Sequence, residues 1–475
     1  MQYIKQHSFY LLFYIISLLL CFVAFKQGDL SHTYTSSYAY LNGHFYDFYE
    51  YNKIYMGGND YLPIIYGIFA LWGLPLKLLG LLSSVEGGGS AWQFSTPIEI
   101  FWFKVLVAGF FFACVILVGK ISKLIEPKRL ESSVSPALLF ASSPISLFAV
   151  FIFSQYDVIG TFFTLLGIYA YFQKRFYRFA IFFSIAISFK YFAAVIYLPL
   201  VLLIEKRPVN LIKYGVISLL ATLIQIGAYW HSEIFQASFL ALVTRKTGEG
   251  IRHSHPVYLA ILYVALCIYA YFSKIKLSLE NNSWALNVII VCILAYSFFF
   301  SFVNWHPQWI LILMPFFALI IPYIRHQKVF IYLEIFGYVT FIWLCVNWFP
   351  GNVDVTMIKY GIVAPYTPAL TYFGASVLPH INIMVATTAF YIYLYSPSAF
   401  LVYENWVSIR QAISTHFKRW LSQAPLELKQ PDADTLQDFV KKDSVNYWRL
   451  YGLRVLVTCY LFLGMTAICL YRSSL

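Results

Sequence analysis

The stretch SFYLLFYIISLLLCFVAFKQGDLSH at residues 8–32 decides the fold, because an apolar run stops in it and a lone acid follows. Ser8 to Phe25 is long enough to cross most of a hydrocarbon core of about 30 Å. Lys5 precedes it, but no small-residue cleavage site comes after it, so it reads as a retained span rather than a signal peptide. Asp29 then stands just beyond the span, ahead of aromatic and polar residues from Tyr34 to Tyr55. The segment from Tyr61-Leu62-Pro63 onward turns apolar again.

The same pattern recurs to the end of the chain. The 475 residues are 60% hydrophobic and 20% aromatic but only 11% charged, against about 25% charged in a soluble domain. The expected fold class is therefore an all-α polytopic membrane protein, a bundle of about 11–13 transmembrane helices with an interfacial helix in the first external loop. The net charge of +12 lies mostly in short loops between spans. There it sets topology and faces anionic lipid, and it gives no reason to invoke nucleic acid. The seven cysteines all fall in predicted spans, without disulfide or metal-ligand spacing.

With the N-terminus in the cytoplasm, residues 26–98 form the first external loop. Tyr61–Leu82 carries Pro63, Gly67, Gly73, Pro75, Lys77 and Gly80, a poor recipe for a straight span. If it crossed, Glu126-Pro127-Lys128-Arg129 would fall outside. It is therefore expected to be a broken helix lying in the outer interface. Glu99–Leu124 then runs inward, Ser135–Phe153 outward and Val158–Phe172 inward. Phe179–Ile204 begins and ends beside basic loops, so it predicts a pair of short helices entering from the cytoplasm, with Lys190 near the apex. Spans follow at about Val209–Trp230, Val257–Phe272, Trp284–Phe302, Trp309–Ile324, Val329–Trp348 and Gly374–Tyr395. Residues 1–395 thus make a transmembrane module. Residues 396–450 make a cytoplasmic or interfacial segment with an amphipathic stretch at Phe400–Leu421, and 451–475 a final span. No internal repeat stands out, which counts against a repeat-built transporter.

This topology collects the unusual residues on one face. Asp29, His32, His44, Asp47 and Glu50 lie in the first loop, and Lys104 near the start of an inward helix. Ser154-Gln155-Tyr156-Asp157 leads into another helix. Arg245, Lys246, Arg252, His253 and His255 lie between two spans, and Asn304-Trp305-His306-Pro307-Gln308-Trp309 between two later ones. Each has a plain structural reading. Asp157 could be a helix cap, Lys104 could snorkel to headgroups, His306 could be an interfacial side chain and Arg252 a solvated loop charge. Lys190 is harder to dismiss, since a Lys at the centre of a span costs about 2.5–3.5 kcal/mol on insertion scales and normally faces a polar cavity or an anion. An acid ringed by cations and aromatics suits a sugar joined through phosphate to a lipid. Rings offer flat faces to the sugar, and Lys or Arg holds the phosphate.

At these residues the chain resembles the multi-spanning GT-C glycosyltransferases that use polyprenyl-phosphate sugars, mannosyltransferases among them. The resemblance rests on Gly28-Asp29-Leu30 with Tyr34, on Leu41-Asn42-Gly43-His44-Phe45-Tyr46, and on Tyr61-Leu62-Pro63. It continues in Ser154-Gln155-Tyr156-Asp157, in Phe189-Lys190 with Leu198-Pro199, and in His306-Pro307-Gln308-Trp309. Ser154 stands where Gly is usual, and Leu62 where a second Pro often occurs. The resemblance covers about the first 320 residues and implies a hexosyltransferase with Asp29 as catalytic base. An inverting transferase needs one base for the incoming hydroxyl. Its lipid-phosphate leaving group is already a stable anion, so a second, acidic carboxyl is unnecessary.

Asp47 is the rival base, because loop length lets either residue reach the site. Lys104, Asp157, Lys190, Arg252, His306 and Gln308 are the residues expected to bind the lipid phosphate and sugar. A divalent metal could be held if Asp29, Asp47, Asp157 and His306 converged, but no spacing demands one and no cofactor is implied. The expected partners are a polyprenyl-phosphate-linked sugar donor, a glycan or glycolipid acceptor such as a cell-envelope polysaccharide, and the bilayer. The expected location is a bacterial cytoplasmic membrane with the site on its outer face. Two other classes compete. A flippase of lipid-linked sugars would want charges along a central path. An O-antigen polymerase or ligase would want arginines in a large late external loop, and Gly351–Phe373 has none.

Overall fold

The computed structural model describes residues 2–57, 61–83, 95–125, 135–244, 256–273, 282–303, 305–324, 326–349, 351, 353, 355–366, 383–404 and 447–473. Among these residues the chain is all-helical. Five helices are long and apolar enough to cross a membrane, or six if one bent pair counts as a single span. Six further apolar helices are shorter, between 10 and 17 residues. Of the about 11–13 transmembrane helices expected, the described residues thus show five or six of spanning length beside six shorter apolar helices.

Helix α1 (Gln2–Ala24) is the first apolar run, and the chain bends by 69° after it. The segment expected to be a loop is instead three short helices, α2 (Gly28–Ser36), α3 (Tyr38–Leu41) and α4 (Phe48–Tyr55). Its composition hides this, because Thr and Ser usually compete with helical hydrogen bonds. Here the hydroxyls of Thr33, Thr35 and Ser36 turn back onto the carbonyls of Asp29, Ser31 and His32 at 2.6–2.8 Å, satisfied within the helix. The Gln27 side chain caps its start by accepting from the Asp29 amide. Leu30 and Tyr34 of α2 are buried, as is Tyr38 at the start of α3, and Tyr34 stacks on Phe103 at 4.3 Å.

Tyr61–Leu82 is not broken. Helix α5 (Pro63–Leu78) runs continuously through Pro75 and stops at Gly80, whose φ of +66° only glycine adopts freely. It buries Ile65, Tyr66, Phe69 and Leu76 and leaves Leu71, Leu74 and Leu78 outward, an aliphatic face suited to lipid. Helix α6 (Pro97–Ile125) opens with a capping box. Thr96 donates its amide and hydroxyl to Glu99 Oε2 at 2.6 and 2.9 Å. Oε1 of the same buried carboxylate takes Tyr38 OH at 2.6 Å and the Ser83 amide at 2.7 Å, stitching α3 to α6.

Ser135–Phe153 is not one continuous helix. It divides at Ser142-Ser143 and Pro144 into α7 (Pro136–Ala141), α8 (Pro144–Leu147) and a π-helical turn, Phe148–Ile152. After α9 (Asp157–Phe172), helices α10 (Phe176–Phe189) and α11 (Ala193–Ile204) part at Lys190. Phe179 stacks on Tyr197 at 5.0 Å, and Phe183 lies 5.1 Å from the same ring. Residues 18 apart along a straight helix would be about 27 Å apart. The chain therefore folds back as the expected hairpin, with Lys190 at its tip.

Then follow α12 (Pro208–Tyr229), α13 (Glu233–Thr244), α14 (Pro256–Phe272) and α15 (Asn282–Phe302). The span expected at Trp309–Ile324 is a mixture: a 3₁₀ segment (Pro307–Leu313), the short α16 (Met314–Ile320) and a closing 3₁₀ turn (Ile321–Tyr323). The last elements are α17 (Gln327–Trp348), α18 (Ile383–Glu404) and α19 (Tyr447–Ser473). Residues 396–404 and 447–450, expected in the polar segment, thus belong to helices. Residues 405–421 of the amphipathic stretch lie outside the described residues.

Inside the bundle, α17 and α19 are joined by a buried ion pair absent from the sequence expectations, Glu334 with Arg454 at 2.5 Å. Arg454 also donates to Leu139 O at 2.8 Å and Ser142 Oγ at 2.7 Å, while Ser143 donates to the second Glu334 oxygen at 3.0 Å. It closes the bundle near the end where α17 and α19 begin.

Candidate functional site

At the opposite end, where α1 stops and α9 starts, two irregular segments run side by side. Gln27 N donates to Phe153 O at 3.0 Å, and Gln155 N reaches back to Ala149 O at 3.0 Å. Between them Ser154 takes a left-handed backbone, φ +64°, a conformation glycine adopts without the steric cost a Cβ brings. That twist turns Gln155 toward α2. Its Nε2 donates to Asp29 Oδ2 at 3.1 Å, and its Oε1 accepts from the Tyr156 amide at 3.0 Å, which fixes the amide's orientation.

Two residues on, Asp157 starts α9 without capping it. Its carboxylate instead faces Lys190 across 3.1 Å, and both residues are buried. The Lys190 ammonium leaves the tip of the α10–α11 hairpin, lies 3.2 Å from Tyr61 OH, and sits among three rings. It is 4.3 Å from the centre of Tyr61, 5.3 Å from Tyr156 and 5.7 Å from Trp309. Such ring contacts stabilise a desolvated cation. The pair is close but poorly aligned, and neither Asp157 oxygen takes a well-directed hydrogen bond. A cavity of about 10 Å³ beside it is lined by Asp157, Gly160, Thr161, Lys190, Trp309 and Ile312, room for roughly one water molecule.

Asp29 differs from Asp157 in being open to solvent, although protein surrounds it on most sides. That partial desolvation pushes its pKa above the usual carboxylate range; the charges of His32 and Lys190 oppose the shift, and Asp157 reinforces it. Asp29 is therefore an accessible carboxylate with raised proton affinity, steered by one amide and close enough to the Asp157–Lys190 pair to feel both charges. Comparison of this chain with family models, with curated proteins and with solved structures finds no match. The reading of the site rests on its own chemistry.

The remaining expected residues are distributed unevenly. Lys104 is buried against α1, where its ammonium donates to the carbonyls of Phe22 and Phe25 and, at 3.4 Å, to that of Phe151. These include carbonyls a helix C-terminus leaves unpaired, so Lys104 ties α6 to α1 rather than joining the cluster. Asp47 lies on an exposed turn, bonded to His44 Nδ1 at 2.9 Å, and that contact holds its carboxyl below the usual range. His306 is exposed and stacks on Phe349 at 5.3 Å and against Trp309 at 4.8 Å. Gln308 is buried in the 3₁₀ segment with Oε1 unbonded. Arg252 lies outside the described residues. Among the described residues no group of three or more His, Cys, Asp or Glu side chains could hold a metal ion.

Gln155, Tyr61, Tyr156 and Trp309 belong to the cluster, though none was singled out as a site residue. The available signal was proximity, since Gln155 and Tyr156 sit within two residues of Asp157, and Trp309 next to Gln308. Tyr61 stands in the sequence only as the first residue of the short motif Tyr61-Leu62-Pro63, which says nothing of its contact with Lys190.

Proposed function

We propose that the protein is a membrane glycosyltransferase of GT-C type. It would move a hexose from a polyprenyl-phosphate donor to a glycan or glycolipid acceptor, with inversion at the sugar carbon. The observation that carries this reading is the accessible Asp29 carboxylate, held by Gln155 beside the buried Asp157–Lys190 pair. Asp29 accepts the proton of the acceptor hydroxyl. The hydroxyl oxygen bonds to the anomeric carbon as the bond to the lipid phosphate breaks, and the electron pair leaves with the phosphate. A base whose pKa is raised toward the working pH removes that proton more effectively than an ordinary carboxylate. Lys190 supplies positive charge near the leaving phosphate, which competes with Asp157 for it. Tyr61, only partly buried, offers a ring face to the sugar, while the buried Tyr156 and Trp309 hold the Lys190 ammonium in place.

The reading is tested with radiolabelled polyprenyl-phosphate sugars and membranes carrying the full chain, with and without acceptor. Transfer of label to acceptor with release of polyprenyl phosphate is expected, and Asp29→Asn should lower it by about 10²–10⁴-fold. Full transfer in Asp29→Asn with loss in Asp47→Asn would move the base to Asp47. Label crossing the bilayer while still on its lipid would replace the transferase with a flippase.

A further inference from the structure

Beyond the cluster, α4 and the junction of α12 with α13 carry a second set of rings that the reaction does not use. Tyr46 stacks on His231 with centroids 3.9 Å apart and planes within 13°, while Tyr46 itself is 74% exposed. His44 stacks on Tyr51 at 4.0 Å, and Phe45, 63% exposed, lies over Tyr40 at 5.7 Å. Hydrogen bonds fix these rings from behind: His231 to Tyr46 O at 3.0 Å, and Tyr229 OH to Phe45 O at 2.8 Å. The exposed Tyr46 ring lies against the His231 imidazole, and the half-exposed Asp47 carboxylate is bonded to His44, groups able to bond hydroxyls.

The surface of α5 makes a useful contrast. Its outward residues include Leu71, Leu74 and Leu78, saturated side chains of the kind a face meeting acyl chains should carry. The patch around Tyr46 is the reverse, with flat faces alternating with hydrogen-bonding groups. Flat faces meet the C–H faces of pyranose rings, and a carboxylate or imidazole bonds the hydroxyls at their edges. The patch also continues into the reacting cluster. The Tyr49 hydroxyl, beneath Phe48, donates to Tyr61 O at 2.9 Å, and the Tyr61 hydroxyl meets Lys190.

We propose that the surface formed by Phe45, Tyr46, His44, Asp47 and His231 is a binding subsite for the carbohydrate chain of the acceptor. This rests on the transferase reading for its purpose, but its test is binding and does not require turnover. The full-length protein in nanodiscs is irradiated at its aromatic protons in the presence of neutral tetrasaccharides of mannose, glucose or galactose. Saturation is expected to pass to at least one of them. Tyr46→Ala and His231→Ala should each weaken that binding about tenfold, Tyr46→Phe should keep it, and Asp29→Asn should bind as the wild type does.

A fluorophore on Tyr46→Cys should be quenched by aqueous iodide and not by brominated acyl chains. The proposal is overturned if no tetrasaccharide receives saturation, if both alanine variants bind like the wild type, or if the brominated lipid quenches. Sugar binding that survives alongside an active Asp29→Asn would leave the subsite standing and remove the proposed base.

Discussion

Two buried ion pairs stand at opposite ends of this bundle, and they are built differently. Glu334–Arg454 is the more fully bonded: both carboxylate oxygens are bonded, and the guanidinium reaches a carbonyl and a hydroxyl besides its acid, leaving only its Nε without a partner. Asp157–Lys190 is close but ill-aligned, borders a cavity, and has aromatic rings where further donors would stand. The first is a cross-brace in which both acid oxygens and both terminal guanidinium nitrogens are taken up. The second keeps unused hydrogen-bonding capacity, which is what a site that must take hold of something else requires.

The largest expected effect is on the brace. Arg454→Met alone strands the Glu334 charge and should cost about 3–5 kcal/mol, seen as loss of the monodisperse protein in a thermal-stability scan. Glu334→Leu with Arg454→Met should recover most of it. A second, somewhat smaller effect belongs to the other pair. Lys190→Met with Asp157→Asn should leave the folded yield near wild type and cut sugar transfer by about 10²-fold. Should that double variant unfold as Arg454→Met does, the contrast between the pairs collapses.

The third effect is on pH dependence. Because burial raises the pKa of Asp29 in the folded chain, the protonated form is the one folding favours. Its contribution to stability is complete below the unfolded carboxylate value of about 3.9 and is lost as pH rises through the raised folded value. Transfer activity must run the other way, rising with pH as the base ionises. Stability and rate measured on one pH series should therefore cross, and Asp29→Asn should flatten the stability contribution. Parallel curves would assign the acid limb to another group.

The smallest effect is at Ser154, whose left-handed backbone and buried, unbonded hydroxyl both favour glycine. Ser154→Gly should raise stability by about 1 kcal/mol without lowering transfer, read as a shift in melting temperature.

The sequence was most informative where length and charge act together. The apolar helices Pro97–Ile125, Pro208–Tyr229 and Gln327–Trp348 follow from their composition. The hairpin at Lys190 follows from basic residues flanking a stretch too long for one crossing. It misled where polar groups find partners inside the chain. Helix α2 has no apolar periodicity because its hydroxyls are absorbed by its own carbonyls. Lys104 resembled a ligand-binding cation because nothing in its neighbours reveals that α1 ends against it. Of the site, Asp29, Asp157 and Lys190 were legible as charges out of place in an apolar chain. Gln155 and Tyr61 were legible only as members of short motifs, since their role comes from backbone geometry and tertiary approach. Arg454 was equally out of place in the last apolar run, yet its partner lies 120 residues away.

That distance has a consequence for biosynthesis. The last helix carries a guanidinium whose transfer into lipid on its own costs about 2.5–3.5 kcal/mol, and the acid that neutralises it is made 120 residues earlier. The helix that carries the guanidinium is thus made only after the helix that carries its acid. Docking of α19 therefore depends on the correct packing of α17 before it, and a chain misfolded there would leave a charged, poorly inserted helix exposed to membrane quality control.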